Sequence, residues 1–229
     1  LPLSKQHEKT GYDEPHYQFD YCSLCFVFRT SKLLGFMNIV IIDYGAGNIQ
    51  SLKFAIQRLG YEAILCKDPN EIQAADKVIF PGVGEASSAM KKLRETGLQD
   101  LIPDLKQPVL GICLGMQLMC NGSEEGDTEG LGIFKVDVVR FPENVKVPQM
   151  GWNIITNLKS KLFEEISEGE HVYMVHSYYA CLCDETIAVT DYHIKYSSAL
   201  GKNNFYGTQF HPEKSGSAGE QILKTFLML

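Results

Sequence analysis

Pro108-Val109-Leu110-Gly111-Ile112-Cys113-Leu114-Gly115-Met116-Gln117 runs from an apolar stretch straight into a helical pattern, with no residues left over for a loop. Residues 109–112 read as a short buried strand and residues 116–119 as the opening of a helix, so Cys113 falls on the sharp turn between them. Gly111 and Gly115 stand two residues to either side, where larger side chains would collide. The helix start offers the sulfur unpaired backbone N–H groups and the positive end of a dipole. Those groups favour the thiolate, the nucleophilic form that an ordinary cysteine reaches only to a few per cent near pH 7. On this pattern alone, a buried inert cysteine and a nucleophile are both open.

Upstream, the same alternation repeats. Apolar runs at residues 39–42, 63–66 and 78–80 read as further buried parallel strands. Between them lie helical patterns. In residues 49–59, Ile49, Leu52, Ala55, Ile56 and Leu59 share a face and Gly60 closes the helix; residues 85–96 form another. This succession predicts an α/β fold: a doubly wound, mainly parallel sheet with helices on both faces and its chemistry at the carboxyl ends of the strands. Shorter strand candidates at 136–139, 152–156, 172–175 and 187–192 predict a mixed or antiparallel addition, and a last helix runs through residues 221–226.

A distant segment decides between the two readings of Cys113. Tyr206-Gly207-Thr208-Gln209-Phe210-His211-Pro212-Glu213-Lys214 places a histidine and a carboxylate two residues apart. If the chain stays extended through Pro212, His211 and Glu213 share a side. A nucleophile needs a base in reach, and the base needs a third group to orient it. Cys113, His211 and Glu213 fill these roles as a catalytic triad.

With these residues in view, the chain resembles the class I, triad-type glutamine amidotransferases, and within them the glutaminase subunits of imidazole glycerol phosphate synthase. The resemblance covers nearly all of residues 37–229. It rests on Asp43-Tyr44-Gly45-Ala46-Gly47-Asn48, Pro81-Gly82-Val83-Gly84, the Cys113 turn, Pro148-Gln149-Met150-Gly151-Trp152-Asn153, Val175-His176-Ser177-Tyr178 and Gln209-Phe210-His211-Pro212-Glu213-Lys214-Ser215. The resemblance implies hydrolysis of glutamine to glutamate and ammonia through a thioester, with Val83 and Leu114 N–H groups as oxyanion donors. It implies glutamine binding by Gly84, Gln117, Glu125 and backbone groups of Ser177 and Tyr178. Gln117 lies one helical turn beyond Cys113, which suits that role. Glu125 belongs to the Glu124-Glu125 run, and a plain solvated pair is its other reading. His176 is read as packed behind the site. The resemblance further implies a heterodimer with a (β/α)8-barrel cyclase subunit in histidine biosynthesis, Trp152 and Lys214 near that partner, and no cofactor or metal.

The 229 residues, 45% of them hydrophobic, suffice for one substantial core. The net charge of −7 argues against nucleic acid or an anionic membrane as partner. No apolar run reaches the length of a membrane-spanning helix. The seven cysteines are odd in number and unevenly spaced, a poor disulfide framework that suits a reducing cytoplasm. Cys22 and Cys25 form a lone C-x-x-C without further zinc ligands nearby.

Residues 1–36 are set apart. They mix Glu8, Asp13, Glu14 and Asp20 with aromatics without a steady period, and Met37 directly precedes the first strand. The segment lacks the basic, acid-poor composition of a transit peptide, and Arg29 and Lys32 interrupt what could be a signal sequence. The expectation is upstream or non-native sequence before a true start at Met37, with a family-atypical extension as the alternative, and poor order. The amidotransferase domain is expected over residues 37–229. Competing functions are a glutaminase serving pyridoxal phosphate, anthranilate or purine synthesis, a free-standing thiol hydrolase, and a catalytically dead interaction module.

Overall fold

The computed structural model describes residues 37–45 and 49–229. The expectations for residues 1–36, Cys22 and Cys25 included, lie outside the described residues, as do Ala46, Gly47 and Asn48 of the first motif. The first half of the fold runs β1 (Ile39–Ile42), α1 (Ile49–Arg58), β2 (Ala63–Cys66), α2 (Pro69–Ala74), β3 (Lys77–Gly82), α3 (Ala86–Glu95), α4 (Leu98–Leu101), β4 (Val109–Cys113) and α5 (Leu114–Leu118). The second half runs β5 (Gly122–Ser123), β6 (Thr128–Glu129), β7 (Asp137–Arg140), β8 (Gln149–Ile155), β9 (Glu170–His176), β10 (Tyr178–Ala180), β11 (Thr186–Asp191), β12 (Lys195–Lys202), β13 (Phe205–Thr208) and α6 (Gly216–Met228).

The strands β2-β1-β3-β4 form a parallel block, as the alternating pattern predicts, and β13, which that pattern does not include, joins it beside β4. Alternate side chains feed two cores. Ile39 and Ile41 of β1 pack with Leu52 and Ile56 of α1 and Ile222 and Phe226 of α6. Val40 and Ile42 pack on the other face with Met90 and Leu93 of α3. Each aliphatic side chain buried in this way stabilises the fold by roughly 1.5–3 kcal/mol. Gly60, at φ +86°, ends α1 in a left-handed conformation that only glycine adopts easily. Glu85 precedes α3 rather than opening it: its carboxylate caps the helix by accepting from Ser88 N–H.

Beyond β13 the sheet turns antiparallel through β12, β10 and β7, and β11 flanks β12. β8 and β9 form a separate antiparallel ribbon. Residues 149–151 look like a turn in sequence but belong to β8, where Gln149, Met150 and Gly151 pair with His176, Val175 and Met174. The last helix extends well past residues 221–226, because its small first turn, Gly216 to Gly219, packs closely on the chain after His211.

Candidate active site

Cys113 ends β4 and caps α5, with φ 53° and ψ −112°. A positive φ strains a residue that carries a Cβ, and such strain collects at functional sites. The turn survives because the surrounding backbones close in on it. A Cβ on Gly115 would run into the Phe80 carbonyl, and one on Gly111 into the Met119 methyl. A Cβ on Gly82 would lie 2.6 Å from the Gly115 nitrogen. The register sets Gly82 of β3 beside Cys113 on one side. Thr208 of β13 pairs with Ile112 on the other, bringing the chain before His211 to the same level.

His211 is buried, and its Nδ1 stands 2.9 Å from Glu213 Oε1. The local path differs from the extended one expected. His211 is extended (φ −95°, ψ 97°), but Pro212–Lys214 then makes a 3-10 turn, and this turn brings the carboxylate back to the ring. Proline restricts the residue before it and readily opens a turn itself. The main chain here is pinned: His211 N–H donates to Tyr173 O (3.0 Å), and Ser215 Oγ donates to His211 O (2.7 Å) while accepting from Tyr173 N–H (2.9 Å). Burial alone would lower the His211 pKa. Hydrogen bonds to Cys113 and Glu213, and the negative charge each can carry, outweigh burial and raise it to about 10. An imidazolium between a sulfur and a carboxylate is the arrangement that activates a thiol nucleophile.

Cys113 and His211 open on a cavity of about 310 Å³, within the range of small-molecule sites. Val83, Gly84, Leu114, Gln117, Glu125, Ser177, Tyr178 and Lys214 line it as well, so the residues implied by the resemblance converge on one space. Gln117 donates from Nε2 to Tyr178 O at 2.8 Å. That carbonyl also meets His176 Nδ1 at 2.8 Å, so both its lone pairs are taken and a substrate contact here falls to N–H groups. His176 reaches the cavity wall yet faces Tyr196 Oη at 3.2 Å from its other nitrogen. Burial is the main reason its pKa falls to about 4; the Tyr178 bond opposes this and the nearby His211 charge adds to it.

The Glu124-Glu125 pair is not simply solvated. Glu124 Oε2 accepts from Arg140 N–H and Glu125 Oε2 from Ala86 N–H, both bonds helping to fix the chain between α5 and β7. Partial burial raises the Glu125 pKa, the Ala86 bond lowers it, and the Glu85 charge raises it further. Trp152 is 57% exposed rather than core, edge-on to Tyr173, and Lys214 Nζ lies 6.0 Å from the same Tyr173 ring. Two groups near the sulfur were not singled out in sequence: Val175 O at 3.9 Å and Gln209 Nε2 at 3.8 Å. Among the described residues no group of His, Cys, Asp and Glu is arranged to hold a metal ion.

The family model for class-I glutamine amidotransferases matches residues 40–229. The chain belongs to that family. This amidotransferase is 56% identical over 196 residues to the imidazole glycerol phosphate synthase subunit HisH of Bacteroides thetaiotaomicron, covering 84% of this chain and all of that one. To the subunit of the same name from Haemophilus influenzae it is 47% identical over 193 residues, 83% of this chain and 97% of that one. Its fold is similar to a solved putative GMP synthase subunit from Thermoplasma acidophilum, with TM-score 0.66 and 21% identity over 84% of this chain and 93% of that one.

Proposed function

We infer that this amidotransferase is the glutaminase subunit of imidazole glycerol phosphate synthase, hydrolysing glutamine and delivering ammonia to a cyclase subunit in histidine biosynthesis. The observation that carries this reading is 56% identity across the whole length of a HisH protein. The cavity supplies the chemistry. Cys113 Sγ attacks the side-chain amide carbon of glutamine, and the carbonyl electrons move to oxygen. Leu114 opens α5, so its N–H has no acceptor within the helix and is free for that oxygen. Val83, on the facing loop, is the second donor, and one such donor is worth about 3–4 kcal/mol in the transition state.

Glu213 holds His211 by Nδ1, which leaves Nε2 for the reacting groups. As the intermediate collapses, the C–N bond breaks and His211 gives its proton to the departing nitrogen, releasing ammonia. The neutral ring then takes a proton from water, which attacks the thioester; glutamate leaves and Cys113 is restored. Gln117, Glu125, Gly84 and the N–H groups of Ser177 and Tyr178 hold the amino-acid end of the substrate.

Ammonia in water near neutral pH is mostly protonated and no longer nucleophilic, so direct transfer to a partner preserves it. Met150, Trp152 and Ile154 alternate along β8 and are all exposed, an apolar stripe beside the cavity rim where Lys214 stands. Exposed aromatic and apolar groups of this kind mark docking surfaces, and we assign this one to the cyclase. We place the complex in the cytoplasm, where thiols stay reduced. The test is co-purification with a cyclase subunit, followed by a coupled assay of glutamate and imidazole glycerol phosphate. A chain that hydrolyses glutamine but neither joins the cyclase nor rescues a histidine auxotroph removes the reading.

A further inference from the structure

The sulfur of Cys113 touches a second amide that the triad does not use. Gln209 is fully buried one residue beyond β13, and the register of β13 on β4 sets it alongside Cys113. Its own N–H donates to Ser198 O at 2.9 Å, which fixes its backbone. Its side chain lies between two partners: Nε2 is 3.8 Å from Cys113 Sγ, and Oε1 is 2.9 Å from Gln117 Nε2. Gln117 Nε2 also donates to Tyr178 O at 2.8 Å.

The direction of this relay follows from its far end. A backbone carbonyl only accepts, so Gln117 must turn its NH₂ group, which has two protons, toward Tyr178 O. The second proton then points at Gln209, which must answer with its oxygen. That leaves the Gln209 NH₂ group for the sulfur, and no flipped arrangement satisfies all three contacts. The relay therefore ends in a donor, which suits a thiolate better than a thiol, because hydrogen bonds to a charged acceptor are the stronger kind. His211 lines the same cavity as the sulfur.

We propose that Gln209 is a positioning residue for the nucleophile: through the Tyr178–Gln117–Gln209 relay it aims an N–H at Cys113 Sγ, holding the sulfur in its attacking orientation. This rests on the reading of Cys113 as the nucleophile. It also ties the wall that receives glutamine to the atom that attacks it, since Gln117 faces the cavity and grips Gln209 at once.

Gln209→Met removes the donor and keeps the bulk; Gln209→Glu keeps the bond from Gln117 but turns only acceptors toward the sulfur. The full chain is treated with iodoacetamide across pH 6 to 10, and labelling of the Cys113 peptide is followed by mass spectrometry. In Q209M the rate at pH 7 falls roughly 10- to 100-fold, the loss expected for one hydrogen bond to a charged group. The midpoint of the pH profile moves upward, and in the complex kcat for glutamine falls with KM nearly unchanged. Q209E falls further. If Q209M does not fold, Q209E decides on the same labelling profile. A folded variant with the wild-type pH profile overturns the role of Gln209 alone, because a merely structural amide would change melting and not the profile. Wild-type Cys113 that resists labelling throughout would instead overturn the nucleophile reading itself.

Discussion

The cavity wall built from β4, β13 and the 3-10 turn after His211 is bonded at one main-chain group after another, whereas the neighbouring loop at Val83 and Gly84 stands open. On the first wall, His211 is tied by its N–H and its carbonyl, Glu213 is drawn in by the turn, and Cys113 is wedged among Gly82, Gly111 and Gly115. On the second, Val83 is 41% exposed, and Gly84 sits at φ +99° with nothing within 4 Å of where a Cβ would be. The groups that must be in place before any substrate arrives, nucleophile and base, are preorganised. The segment offered as the second oxyanion donor can be set by what binds against it, so the difference separates thiol reactivity from full turnover.

The largest effect expected is on the fixed wall. Cys113→Ala should abolish glutamine hydrolysis, a loss of at least about 10⁴-fold. The melting temperature and the ammonia-driven reaction of the assembled synthase should stay near wild type, as a glutamate assay and an ammonium-fed synthase assay would show. Gly115→Ala attacks the packing instead. Its new methyl meets the Phe80 carbonyl, a backbone group that cannot swing aside, and should cost about 3 kcal/mol in denaturant unfolding. Near-normal stability in that variant would mean the turn is looser than its contacts imply.

The third prediction concerns pH. His176 is buried and its folded pKa, about 4, lies below the ordinary 6.5. Between those values the unfolded chain binds the proton more readily than the folded one, so stability is full above pH 6.5 and falls on acidification toward pH 4. The loss attributable to this ring is about 3 kcal/mol. Urea unfolding of wild type and His176→Asn at pH 7 and pH 4.5 should show a smaller pH dependence in the variant. The smallest effect falls on the open wall. Gly84→Ala meets no neighbour but must take a left-handed backbone, costing about 1 kcal/mol in stability. It should leave iodoacetamide labelling of Cys113 unchanged and slow glutamine turnover in the complex. Equal effects on both measurements would erase the distinction between the walls.

Strands β1 to β4 were legible because they are dense in Ile, Val and Leu, and α1 and α3 because each keeps a steady apolar face; β13, Phe205-Tyr206-Gly207-Thr208, carries no such run. The second half was less so. Residues 195–202 include Ser197, Ser198 and Ala199, too small and polar to stand out, and become β12 through burial between neighbouring strands. Residues 149–151 become strand only because β9 lies opposite, a partner no local pattern reveals. In the site, Cys113, His211 and Glu213 could be singled out by residue type and spacing. The turn that joins the last two could not, nor could the bond between Gln117 and Gln209, 92 positions apart, which exists only once β4 and β13 are neighbours.

The parallel register of β3, β4 and β13 has a consequence for how this protein fails. Gly82, Cys113 and the approach to His211 meet because three strand tips end at one level, and no linker or mobile arm delivers any of them. Any partly folded form that separates these three strands should therefore lose the chemistry. Heating should extinguish glutamine hydrolysis and circular dichroism along a single curve.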